Sequence, residues 1–92
     1  MSDVVYVQLM EKLKPLDDAV IQAHVAHLKT LDEGGHLVLC GPFTDHPGGM
    51  IVLRAASRQE AETLAAADPL IAEGYETYVM RTLEVADAST GY

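Results

Sequence analysis

Apolar and polar positions alternate with period two over residues 4–10. Val5, Val7 and Leu9 fall on one side, and Val4, Tyr6 and Gln8 on the other, which is the signature of a strand. Residues 11–15 read as a loop, since Pro15 cannot continue a strand interior. From Leu16 the period lengthens. Val20, Ile21, Leu28 and Leu31 recur at helical spacing, with Gln22, Lys29 and Glu33 on the opposite side. Asp17 is placed to cap this helix, Leu16 and Ile21 have the spacing of a hydrophobic staple, and Asp18 complements the helix dipole. Gly34 and Gly35 supply the stop.

Residues 36–43 predict a second strand, with Leu37 and Leu39 on one face and Val38 and Cys40 on the other. The turn formers at 44–49 reverse the chain, and 50–56 predict a third, antiparallel strand. Ser57 and Glu60 fit a capping box that opens a second helix, with Ala61, Leu64 and Ala65 inward. Asp68-Pro69 interrupts it and starts a short helix, with Asp68 as cap and Pro69 as first residue; Gly74 ends it. Residues 75–85 are rich in Tyr, Thr and Val and predict the last strand, and 86–92 a loose tail.

The resulting β-α-β-β-α-β order matches an α+β, ferredoxin-like unit with a four-stranded antiparallel sheet. Two helices cover only one face of such a sheet. The first three strands are apolar on both faces, so the uncovered face calls for a partner, and a homodimer packed sheet to sheet is the expectation.

Composition narrows the choice of function. At 92 residues one domain spanning 1–92 is expected. Hydrophobic residues make up 49% of the chain but only Phe43 and four tyrosines are aromatic, so the core must be mostly aliphatic. Fourteen acids against six bases give a formal net charge of −8, which argues against a nucleic-acid or anionic-membrane partner. Residues 1–3 lack the basic start of a signal peptide and no apolar run approaches a membrane span, so a cytoplasmic protein is expected. Cys40 is the single cysteine, which excludes an internal disulfide. It reads as a packed small hydrophobe, with nothing basic flanking it in sequence to activate a thiolate.

The chemistry concentrates on His24, near the centre of the long helix's apolar stripe, with His27 at its edge. A polar ring on a buried stripe needs a hydrogen-bond partner or a purpose. A core histidine bonded to a main-chain carbonyl is one reading. The other is a pocket-lining acid or base, which imidazole suits because its free pKa lies near neutrality. Asp68 can hold that ring as well as cap a helix. Gly41 and Pro42 at a strand end permit a ligand to approach, though a simple bend explains them too. Capping suffices for Ser57. There is no cysteine pair or third ligand beside His24 and His27 for a metal, no phosphate loop and no nucleophile elbow, so neither metal nor cofactor is expected.

Taken together, Ala23-His24, His27-Leu28, Gly35-His36-Leu37, Gly41-Pro42, Gly48-Gly49, Ser57 with Glu60-Ala61, and Ala67-Asp68-Pro69 ending at Gly74 resemble the YCII-related family across nearly the whole chain. That resemblance implies a ferredoxin-like fold dimerising through its sheets, similar in architecture to muconolactone isomerase and small cofactorless monooxygenases. It also implies an active site built on a histidine and an aspartate, here His24 and Asp68. Elimination on a halogenated aromatic ring is ascribed within the family. The expectation is a small enzyme in which His24 and Asp68 transfer a proton on a small organic substrate, isomerase- or lyase-like, with Gly41, Pro42, His27 and Ser57 as candidate substrate-binding positions. The alternatives are a non-catalytic ligand-binding or accessory module and a cofactorless oxygenase.

Overall fold

A computed structural model describes residues 3–92. The elements follow the expected order: β1 (Val4–Lys12), α1 (Asp18–Glu33), β2 (Leu37–Pro42), β3 (Gly48–Leu53), α2 (Arg58–Ala66), α3 (Pro69–Ala72) and β4 (Glu76–Glu84). The strands form one sheet in the order β2-β3-β1-β4, antiparallel throughout. β1–α1–β2 is therefore a crossover that leaves room for β3 between its strands, the ferredoxin-like arrangement.

Capping residues set the helix starts as their types require. Val20 N–H donates to Asp17 Oδ1 (2.8 Å) and Glu60 N–H to Ser57 Oγ (3.1 Å). Glu60 Oε1 in turn accepts from Ala56 N–H (2.9 Å). Tyr6, Met10, Ile51, Leu53 and Met80 from the sheet meet Val20, Leu31, Ala61, Ala65 and Leu70 from the helices in the core. Register places Val7, Leu9, Val52, Leu39, Val79 and Leu83 on the opposite, helix-free face.

Four details depart from the sequence reading. β1 runs two residues further than expected, because β4 continues beside it: Lys12 pairs with Glu76, and Leu13 N–H donates to Tyr75 O (2.9 Å). Gly48 and Gly49 belong to β3 rather than to the turn. A Cβ on Gly48 (φ +132°) would run into the Met10 carbonyl oxygen, and one on Gly49 would lie 2.7 Å from Gly41 O, so glycine is what lets three strands converge here. Leu37 and Leu39 do not share a face. A register shift between them inserts one residue and inverts the alternation, turning Leu37 and Cys40 toward the helices and Leu39 away. Finally, residues 87–92 are turned back on themselves: Asp87 Oδ1 accepts from Ser89 N–H (2.8 Å) and Ser89 Oγ–H (2.6 Å), and Tyr92 N–H donates to Asp87 O (3.0 Å).

Candidate active site

Asp-Pro is the local device that builds the site. Pro69 disfavours helical backbone in the residue before it, and Asp68 sits extended at φ −62°, ψ 126° as the cap of α3. Its Oδ1 accepts from Leu70 N–H (2.9 Å). The carboxylate is fully buried, and the same oxygen lies 2.9 Å from His24 Nδ1. A carboxylate oxygen has no proton to give, so Nδ1–H is the donor. Fixing that tautomer leaves Nε2 with its lone pair. His24 stands in α1, forty-four positions away in sequence, and reaches Asp68 because α1 and α3 lie together on one face of the sheet.

The imidazole is one-fifth exposed and lines a cleft of about 530 Å³ between α1 and the converging ends of the strands. Such a volume suits a small organic molecule. The walls are apolar: Met10, Leu16, Ile21, Val25, Leu28, Ile51 and Leu70. Polarity is confined to His24, Glu76 and the Cys40 thiol, with main chain from Gly41, Pro42, Gly48 and Gly49.

Glu76 was not singled out in the sequence. It is 6% exposed, lines the cleft, and accepts no hydrogen bond from any described residue. Burial raises its carboxyl above the ordinary glutamate value; His24 and then Lys12 oppose that shift, and Asp68 reinforces it. The signal was parity. Counting back along β4 from the core residue Met80 puts Tyr78 and Glu76 on the inward side, where an acid is out of place.

The other expected positions divide. Gly41 and Pro42 line the cleft with His24. A Cβ on Gly41 would meet nothing within 4 Å, so no backbone contact within the chain explains that glycine. His27 and Ser57 are not on the cleft; Ser57 serves as the α2 cap. Cys40, read as packed, is exposed and borders the cleft, because the shift in β2 turns it toward the helices at the edge of the sheet, where little covers it. His36 Nδ1–H is occupied by Arg54 O (2.8 Å). Among the described residues no three His, Cys, Asp or Glu side chains come together as a metal site, and no helix is long and apolar enough to cross a membrane.

The YCII-related domain model matches residues 1–84. The chain belongs to the YCII-related family. Within it, the uncharacterised protein YjpA of Bacillus subtilis is 33% identical over 69 residues, covering 75% of this chain and 81% of that protein. Among solved structures, this YCII-related chain is similar to a 5-chloro-2-hydroxyhydroquinone dehydrochlorinase from Burkholderia phenoliruptrix, in complex with 2,5-dihydroxybenzoquinone. The TM-score is 0.70 at 16% identity, covering 89% of this chain and 95% of that one. At that identity the likeness establishes the shared fold, α+β and ferredoxin-like.

Proposed function

We propose that this YCII-related protein is a small enzyme that moves a proton on a small, ring-shaped organic substrate, in an isomerisation or elimination. The observation that carries the reading is the 2.9 Å His24–Asp68 pair at the wall of an apolar cleft. In the reaction, His24 Nε2 takes a proton from the substrate. The imidazolium that forms is held by the buried Asp68 carboxylate through Nδ1–H, as in other carboxylate–imidazole pairs. Gly41 and Pro42 border the substrate. The fold shared with a dehydrochlorinase acting on a chlorinated hydroxyhydroquinone supports this choice of substrate class. A homodimer closed over the helix-free face is part of the proposal, supported by the exposure of Leu9, Leu39, Val79 and Leu83 there.

The test is turnover of substituted hydroquinones and lactones by the purified protein. His24→Ala is expected to lower kcat by about 10²–10⁴-fold, the usual worth of a general base. Asp68→Asn keeps an oxygen for Leu70 N–H but no longer favours the imidazolium, and is expected to fall between the two. Full turnover in His24→Ala would refute the base assignment. Binding of a ring compound with no turnover of any would favour the ligand-binding module.

A further inference from the structure

Six Lys and Arg residues occur in the chain, at positions 12, 14, 29, 54, 58 and 81. None of them lines the cleft. Its lining does include a buried carboxyl, Glu76, and the buried Asp68 carboxylate lies just behind His24. The imidazole is the one lining group able to carry positive charge, and its Nδ1–H is already committed to Asp68. An anion entering this space gives up water against apolar walls and meets like charge with no Lys or Arg among the lining residues. An uncharged ligand meets neither cost. Its ring rests on Met10, Ile21, Leu28 and Ile51, and its oxygens find His24 Nε2 and the Glu76 carboxyl, which no described residue engages through a hydrogen bond.

We infer that the cleft selects uncharged, oxygen-bearing rings over their carboxylate analogues, and that Glu76 is the residue that enforces the choice. This rests on the proposed function for the site but concerns binding, not turnover. Burial raises the Glu76 carboxyl, so the discrimination follows its ionised fraction and strengthens as pH rises. The charged or titratable groups facing Glu76 are His24 from α1, Lys12 from β1 and Asp68 at the start of α3.

The experiment is calorimetric titration of the full-length protein, under nitrogen, with hydroquinone and with gentisate, the same ring bearing a carboxylate. Wild type is expected to bind hydroquinone at least about tenfold more tightly at neutral pH, the equivalent of one unfavourable charge contact of about 1.4 kcal/mol. Glu76→Gln keeps the shape, removes the charge and is expected to erase most of that ratio, chiefly by tightening gentisate binding. The wild-type ratio is expected to narrow as pH falls and Glu76 takes up its proton. The ratio in Glu76→Gln stays flatter. His24, Lys12 and Asp68 are present in both proteins, so the difference between them reads Glu76.

Equal affinity for the two rings, failure to bind either at millimolar concentration, or an unchanged ratio in Glu76→Gln would overturn the inference. An inactive protein that still shows the ratio defeats the catalytic reading alone. An active protein without the ratio defeats this one alone.

Discussion

Glu76 sets two requirements against each other at the scale of a single residue. Its place on the cleft offers a polar group to a ligand, and its burial disfavours the charge that group carries. Below the ordinary glutamate value of 4.5, folded and unfolded chains both hold the proton and burial costs little. As pH rises through the raised folded value, the folded chain must bury the charge while the unfolded one does not, so stability is lost. Glu76→Gln is therefore expected to melt at a higher temperature than wild type at neutral pH, with the advantage fading toward pH 4. Thermal denaturation at the two pH values checks it. His24 and Asp68 were readable from sequence, one as an imidazole on an apolar stripe and the other as the Asp of an Asp-Pro pair. Glu76 was not, because its meaning depends on which face of β4 is inward.

At the scale of elements, the start of α1 is tied to the start of β4. Tyr75 O–H donates to Asp17 Oδ2 (2.7 Å) while Val20 N–H holds Oδ1, and Lys14 Nζ sits 4.4 Å over the Tyr75 ring. The Tyr75 hydroxyl first, then the Val20 amide, holds the Asp17 carboxyl below its ordinary value. A lowered carboxyl contributes stability above the unfolded value, 3.8, and loses it as pH falls through the folded value. Tyr75→Phe is expected to melt below wild type at neutral pH, and the two curves are expected to converge in strong acid.

The strand ends that border the cleft depend on glycine in the same way. Gly48→Ala must accept both a positive φ and a collision with the Met10 carbonyl. A loss of about 1–3 kcal/mol is expected, measurable by denaturant titration. Element order and caps were legible in the chain. The shift within β2 was not, since an inserted residue leaves no mark in an apolar run where every position reads alike.

At the scale of the whole molecule, one sheet face is covered and the other is not. Leu9, Leu39, Val79 and Leu83 are 37%, 52%, 46% and 50% exposed on that open face. A second copy is expected to bury them. Light scattering on the eluting protein is expected to give twice the chain mass of 9.9 kDa. Val79→Asp combined with Leu83→Asp is expected to give the single-chain mass, because burying two uncompensated carboxylates in an apolar interface costs more than the contact returns. A wild-type mass of 9.9 kDa would remove the dimer from the proposal.

The chain's own pattern determined which segments become helix or strand, where each helix starts, that one sheet face would be left apolar, and that an imidazole would stand on a buried stripe. Those are local properties, decided by periods of two and 3.6 and by the side chains that cap free N–H groups. Tertiary structure alone decided that His24 meets Asp68, that Glu76 shares their cleft, and that Cys40 borders it while His27 and Ser57 do not. Each of those facts depends on register and on the packing of elements far apart in sequence. A single inserted residue in β2 was enough to change which side chains the cleft receives.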